Sequence, residues 1–204
     1  MRTGAHIISV IFHPLLLTSY LMIILGYYFP VFLSISSANF KVILAFVFGF
    51  TCLLPIVNLL MFKYFGTITS FSMQSRYERI VPFLAITLIY LVTTYLFFMK
   101  LPISANLNKL IAIISALVLV STIVTFFFKI SVHSLALGGL AGIILPLNKA
   151  IENGALLWPT AWLFVIAGLV MSSRLYLNAH SPREVYIGAV TGFLIGFAGI
   201  LLLF

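Results

Sequence analysis

Runs of about 20 consecutive apolar residues recur along almost the whole chain, and they constrain its fold more than any other feature. A helical run of this length matches the hydrocarbon thickness of a bilayer, and a helix satisfies its own backbone hydrogen bonds inside lipid. Only 7% of the residues are charged, far from the quarter or so that is usual in soluble domains. The sequence therefore predicts an all-α fold, a multi-pass transmembrane helix bundle.

Seven apolar segments, bounded by polar, proline or glycine residues, predict about six to seven spans. Their approximate limits are 7–29, 40–62, 80–99, 109–128, 133–147, 157–175 and 184–204. The shortest segment contains Gly138, Gly139 and Gly142, which favour close packing against another helix. Because no repeat or soluble segment interrupts the series, residues 1–204 are predicted to form a single integral membrane domain.

The formal net charge of +8 is typical of proteins that bind nucleic acid. In this chain, however, most Lys and Arg residues lie at the ends of apolar runs, where they reach lipid headgroups or anionic ligands. We therefore expect contacts with membrane lipids and none with nucleic acid, and the sequence indicates no protein partner. Cys52 is the single cysteine, so neither an intramolecular disulfide nor a metal–thiolate site is expected.

Three connectors between the segments, at residues 63–82, 128–133 and 172–184, concentrate the ionisable side chains. Two segments separate the first connector from the second, and two more separate the second from the third. All three are therefore predicted to lie at the same membrane face. Interfacial snorkelling of Arg and Lys would explain any one of these residues alone. Their convergence favours a site for an anionic ligand, because ionisable groups at membrane depth are costly.

The third connector places Arg174, His180, Glu184 and Gly188 in the order Ser-Arg, five residues, His, three residues, Glu, three residues, Gly. This pattern resembles the third signature of the type 2 phosphatidic acid phosphatase family, in which the acidic residue is usually Asp. The resemblance implies that His180 attacks phosphorus, that Glu184 holds its imidazole and that Arg174 binds phosphate. Residues four apart share a face of a helix, which agrees with a His180–Glu184 contact.

Helix capping is the other interpretation of this connector. Ser181, Pro182 and Glu184 match a capping box with Ser at the N-cap, Pro at the first helical position and Glu at the third. Glu184 would then begin the last helix, and the two interpretations are compatible. A helix N-terminus beside His180 would also attract a phosphate. Gly188 is equally well explained by close helix packing.

The second connector has a weaker likeness to the same family. Lys129-Ile130-Ser131-Val132-His133 matches the family's second signature, Pro-Ser-Gly-His, at Ser131 and His133. The resemblance implies that His133 protonates the leaving oxygen and that Ser131 binds a phosphate oxygen. Taken alone, the stretch is equally typical of an interfacial histidine that caps a helix.

The first connector departs further from the family. The family's first signature is a Lys, six residues and then Arg-Pro. In this chain position 72 is Ser and position 80 is Ile. Arg79 is the best equivalent of the signature arginine, and Arg76 or Lys129 would supply the missing positive charge. An Arg-Glu-Arg cluster at the start of a helix is the alternative explanation. Arginines without a metal can neutralise a transferring phosphoryl group.

The resemblance covers about residues 72–188 and implies a membrane hydrolase of lipid metabolism. Its substrate would be a lipid phosphate or diphosphate monoester, hydrolysed through a phosphohistidine intermediate without a metal or other cofactor. The expected catalytic residues are His180, His133 and Glu184, and the expected phosphate-binding residues are Arg174, Arg79, Arg76, Lys129 and Ser131.

Two other functions remain open. A transporter or lipid-binding protein would use the same cationic face to recognise an anion without turnover. A metal-dependent membrane hydrolase is disfavoured, because the sequence contains no His-Glu-x-x-His pair.

The positive-inside rule gives an expected orientation once the cationic residues of the three signatures are set aside, namely Arg76, Arg79, Lys129, Arg174 and Arg183. Arg2 and Lys63 then remain on the signature face. The opposite face carries Lys41, Lys100, Lys109 and Lys149. The count favours a site that faces outward, as the resemblance also implies, and we expect the protein in the cell (inner) membrane.

Overall fold

The structure is a computed structural model that describes residues 2–71, 73, 75–101, 103–150 and 154–204. Helices, and no strand, make up the regular structure of these residues. In chain order the helices are α1 Arg2–Ile11, α2 Pro14–Tyr28, α3 Pro30–Leu33, α4 Ser37–Phe48, α5 Leu54–Tyr64, α6 Arg76–Met99, α7 Ala105–Phe127, α8 Val132–Ala150, α9 Leu157–Tyr176 and α10 Pro182–Leu203.

Six helical segments in the described part of the chain are long and apolar enough to cross a membrane. A seventh is added if α1 and α2, which bend by 57° at their junction, form one span. The prediction of an all-α, multi-pass transmembrane bundle is confirmed. Several helices begin before the predicted limits, as α6 does at Arg76 instead of residue 80, because their first turns are polar and hydropathy alone misses them.

The predicted span 7–29 is broken at His13 and Pro14. Proline fixes its own φ and disfavours a helical conformation in the preceding residue. His13 accordingly has an extended backbone with φ −64° and ψ 138°, and its Nδ1 accepts a hydrogen bond from the backbone N–H of Leu15 at 3.4 Å. The chain therefore turns at His13, and α2 begins with a histidine cap.

The second predicted span, 40–62, is a continuous segment in which a π-helical turn, Gly49–Leu53, joins α4 to α5. Pro55 has no N–H to donate to the carbonyl of Thr51 four residues earlier. The hydroxyl of Tyr90 in α6 donates to that carbonyl at 2.7 Å. The irregular turn is thus tied to a neighbouring helix by a buried hydrogen bond.

Helices α8 and α10 form the most extensive helix contact of the described chain. An added Cβ at Gly138, Gly142, Gly192 or Gly196 would overlap a backbone carbonyl oxygen of the facing helix. Gly139 presents its carbonyl to Gly196 and faces the side chain of α7 residue Leu117. The prediction that the three glycines of the shortest span support close packing is confirmed.

Candidate functional site

A cavity of about 690 Å³ lies inside the bundle, with walls from α1, α2, α4 to α8 and the chain around the end of α9. Most of its lining side chains are aliphatic or aromatic. One end differs, and we call it the polar end: it is formed by Arg79, Arg174, His133, His180 and His13. The volume is within the range of about 300–1,000 Å³ that small-ligand sites occupy.

The cavity extends from the polar end along α8. His133 lies in the first turn of α8, and Ile143 lines the cavity ten residues later. At a rise of 1.5 Å per residue, this spacing corresponds to about 15 Å along the helix axis. The cavity therefore joins a cationic end to a long apolar compartment.

His180 lies between α9 and α10 with only 7% of its surface exposed. Its Nδ1 is 2.5 Å from Oε2 of Glu184, in the first turn of α10. Ser181 caps that helix, accepting a hydrogen bond from the backbone N–H of Glu184 at 3.4 Å, and Pro182 occupies the first helical position. Both the predicted His180–Glu184 contact and the predicted N-cap are confirmed.

The carboxylate of Glu184 fixes the tautomer of His180. An ionised carboxylate only accepts hydrogen bonds, so Nδ1 of His180 carries the proton and Nε2 keeps its lone pair. Burial lowers the pKa of His180. The hydrogen bond that His180 donates to Glu184 raises this pKa, and the positive charges of Arg79 and Arg174 lower it further. A neutral imidazole with a free Nε2 is the state that a histidine nucleophile requires.

Arg79, in the first turn of α6, is 5% exposed. Its Nε donates to the carbonyl of Met73 at 2.8 Å, and its Nη1 donates to the carbonyl of Ile130 at 3.2 Å. The two bonds hold the guanidinium group at the cavity wall, within electrostatic range of Glu184 and Arg174.

Arg174, in the last turn of α9, contributes a second guanidinium group to the cavity wall. Its Nε is buried and has no hydrogen-bond partner among the described residues. Leaving a buried donor unpaired is costly, particularly on a charged group. Because the residue also lines the cavity, an anionic ligand at the polar end would offset its positive charge.

His133 is held by a helix far away in sequence. Its Nε2 lies 3.1 Å from the backbone carbonyl of Ser9 in α1. Because a carbonyl only accepts, Nε2 of His133 carries the proton, and Nδ1 is unprotonated when the ring is neutral. The rings of His133 and His13 pack edge to face with centroids 5.5 Å apart.

Three predicted phosphate ligands do not line the cavity. The Nη1 of Arg76 donates to the carbonyl of Phe127 at 2.7 Å, and the Nζ of Lys129 donates to the carbonyl of Ala179 at 3.2 Å. Ser131 is fully buried, with its hydroxyl 2.9 Å from that of Ser134. Arg76, Lys129 and Ser131 thus have partners within the protein and contribute no wall to the cavity.

These same contacts test the prediction that the three connectors share a face. Arg79 reaches from the first connector to Ile130 in the second, and Lys129 reaches from the second to Ala179 in the third. The backbone N–H of Ser131 also donates to the carbonyl of Glu184 at 3.3 Å. The prediction is confirmed, because residues of all three connectors are in direct contact. Ser72 and Gln74, in the first connector, lie outside the described residues.

Gly188 is a packing glycine. A Cβ at this position would lie 2.8 Å from the carbonyl oxygen of Ser131. The close approach brings the first turn of α10, which carries Glu184, against the segment that leads into His133.

His13 also belongs to the site, although no signature in the sequence marks it. The His13-Pro14 pair was readable as a bend in an apolar run, but the direction in which the bend points is a tertiary property. In the structure the bend places His13 at the polar end beside His133.

Among the described residues, no group of three or more His, Cys, Asp or Glu side chains is arranged to hold a metal ion. Comparison of the chain with models of protein families, with curated proteins and with solved structures finds no match.

Proposed function

We propose that the chain is a membrane phosphatase that hydrolyses a lipid phosphate or diphosphate monoester through a phosphohistidine intermediate. The observation that carries the proposal is the placement of His180, oriented by Glu184, in one cavity with Arg79, Arg174 and His133. These residues come from connectors that are far apart in sequence. The resemblance to type 2 phosphatidic acid phosphatases rests on the same residues.

In the first step, Nε2 of His180 attacks phosphorus, a P–N bond forms and the P–O bond to the lipid breaks. The leaving oxygen takes a proton from His133. Because Nε2 of His133 donates to Ser9, the transferred proton comes from Nδ1, and His133 takes it up only when a bound phosphate offsets the positive charge of Arg174.

In the second step, neutral His133 accepts a proton at Nδ1 from a water molecule. The water oxygen attacks phosphorus and the P–N bond breaks, which releases inorganic phosphate and restores His180. A lipid monophosphate gives the alcohol, and a lipid diphosphate gives the monophosphate.

The two guanidinium groups bind the phosphoryl oxygens and neutralise their charge. In phosphoryl transfer the protein acts mainly by positioning the group and by electrostatic stabilisation. The carbonyl bonds of Arg79 fix its position before the ligand arrives, which is the condition for effective stabilisation. Arg174 lines the cavity and places a second positive charge at its polar end.

The apolar compartment suits the hydrocarbon tail of the substrate. It continues for about 15 Å from His133 to Ile143, and its walls carry few polar groups. With the distribution of Lys and Arg set out above, we place the protein in the cell (inner) membrane with the polar end facing outward.

The direct test replaces His180. The His180→Ala variant, purified in detergent and assayed in EDTA, is expected to release no phosphate from a lipid phosphate. The control is Tyr186→Ala, which removes an exposed side chain of α10 that does not line the cavity. Phosphate release by His180→Ala at the wild-type rate would remove His180 as the nucleophile.

A second outcome would favour a transporter or lipid-binding protein. The two arginines that line the cavity, Arg79 and Arg174, suit an anion that is recognised without turnover equally well. If a variant with both His133→Gln and His180→Gln binds a lipid phosphate as tightly as the wild type, and the wild type releases no phosphate, recognition alone is the function.

A further inference from the structure

His13 is a third imidazole at the polar end, from a part of the chain that none of the three connectors includes. It lies at the 57° bend between α1 and α2, is partly buried and lines the cavity. His133 is in ring contact with it, and Arg174 is within electrostatic range. Its surroundings are therefore those of the proposed phosphate ligands.

The cap of α2 fixes which nitrogen of His13 carries the proton. The Nδ1 atom accepts the backbone N–H of Leu15, so Nδ1 is unprotonated. In the neutral ring the proton is then on Nε2, on the far side of the ring from the cap. His13 is thus held as a neutral imidazole that donates through Nε2.

A bound phosphoryl group needs donors that are not already in use. The Nε2 of His133 donates to Ser9, and the Nε and Nη1 of Arg79 donate to backbone carbonyls. A phosphoryl group has three non-bridging oxygens, and each accepts more than one hydrogen bond. A neutral N–H at His13 adds a donor without adding another positive charge beside Arg79 and Arg174.

We propose that His13 is a further anion-binding residue of this site and that its Nε2–H donates a hydrogen bond to a phosphoryl oxygen of the ligand. The identity of the ligand rests on the proposed function. The competing explanation is that His13 serves only to cap α2.

Two substitutions of His13 distinguish anion binding from helix capping, because each retains the hydrogen-bonding role of one imidazole nitrogen. His13→Asn keeps an acceptor near the position of Nδ1, so it preserves the cap and removes the donor. His13→Gln places an amide N–H near the position of Nε2, so it preserves the donor and weakens the cap. The measurement is thermal stabilisation of the detergent-purified protein by inorganic phosphate, which requires no turnover.

The proposal predicts that His13→Asn leaves the melting temperature without phosphate unchanged and weakens phosphate binding about tenfold, the effect of one lost hydrogen bond to a charged group. His13→Gln is expected to melt at a lower temperature and to keep most of its phosphate affinity. Wild-type phosphate affinity in His13→Asn would leave His13 as a cap alone and overturn the proposal.

The remaining outcomes distinguish this inference from the proposed function. Weaker phosphate binding in His13→Asn, together with a wild type that releases no phosphate from lipid, would support His13 as an anion ligand and end the phosphatase proposal. Full phosphate affinity in His13→Asn, with normal hydrolysis by the wild type, would overturn His13 as an anion ligand and support the phosphatase proposal. A wild type that millimolar phosphate does not stabilise would overturn the assignment of His13.

Discussion

The α8–α10 pair lines the cavity through α8 alone, and the α1–α2 and α4–α5 segments supply further walls, but the two regions differ in construction. The first is a pair of unbroken helices in backbone contact through glycines, and it carries His133 and Glu184. The second contains a 57° bend between α1 and α2 and a π-helical turn between α4 and α5. The proposed acid and the residue that orients the nucleophile thus lie on the rigid pair, and broken helices supply much of the apolar wall.

The difference separates two requirements of such a site. Groups that take part in bond breaking must keep fixed distances, and close backbone packing supplies that rigidity. A wall that admits a long apolar tail benefits from irregular helices, whose bends and π turns leave space between neighbours. Substitutions in the two regions are therefore expected to affect different properties.

The largest effect is expected for Glu184→Gln on the rigid pair. The neutral amide no longer enforces the Nδ1–H tautomer of His180, and replacing the orienting carboxylate of a catalytic histidine by an amide costs up to about 10⁴-fold in kcat. KM is expected to change little. Glu78→Gln is the matched control, because Glu78 binds Thr69 and does not line the cavity. A kcat close to that of the wild type in Glu184→Gln would show that the carboxylate only caps α10.

The difference in rigidity between the α8–α10 pair and the irregular segments is tested by adding one methyl group to each region. In Gly192→Ala the new Cβ overlaps the backbone carbonyl of Leu135, so α8 and α10 must separate, and overpacking of this kind costs about 1–3 kcal/mol. In Gly26→Ala the Cβ meets the ring of Phe40, a side chain that can rotate away, so we expect a smaller loss of stability.

Thermal unfolding in detergent measures both variants. Gly168→Ala is the control, since a Cβ there meets nothing within 4 Å. If Gly26→Ala lowers the melting temperature more than Gly192→Ala, the assignment of rigidity to the α8–α10 pair is wrong.

The smallest expected effect is on the pH dependence of stability and of kcat. Because burial lowers the pKa of His180, the folded protein takes up this proton at lower pH than the unfolded chain. The contribution of His180 to stability is complete above about pH 6.5 and is lost as the pH falls toward the pKa of the folded state. The acid limb of kcat is expected below the range of an exposed histidine.

Arg174→Gln tests the cause of this shift. It removes a positive charge that lowers the pKa of His180, so the acid limb of kcat should move to higher pH. An acid limb that stays in place, or moves to lower pH, would show that Arg174 does not act on His180.

Several elements were predictable because they depend on local rules. Apolar length predicts the spans, and the Ser181–Pro182–Glu184 pattern predicts where α10 begins, as the structure confirms. The spacing of His180 and Glu184 also predicted their contact. Counting spans was enough to bring the three connectors to one face.

The remaining features depend on directions that a single sequence does not specify. Arg76 and Lys129 are cationic and lie in the predicted connectors, but they donate to the backbone carbonyls of Phe127 and Ala179 and do not line the cavity. Ser131 matches a signature and yet lies fully buried beside Ser134. His13 has no signature and joins the polar end because a proline bends its span. Composition locates cations at a face, and only tertiary packing decides which of them reach a cavity.

The most direct test of His180 as the nucleophile is the position of a trapped phosphoryl group. Protein incubated briefly with a lipid phosphate labelled in its phosphoryl group is quenched in alkali, in which phosphohistidine is stable, and the labelled peptide is sequenced. We expect label on His180 alone and on its Nε2, because Glu184 occupies Nδ1. Label on His133 or on Nδ1 of His180, or hydrolysis without any labelled histidine, would contradict it.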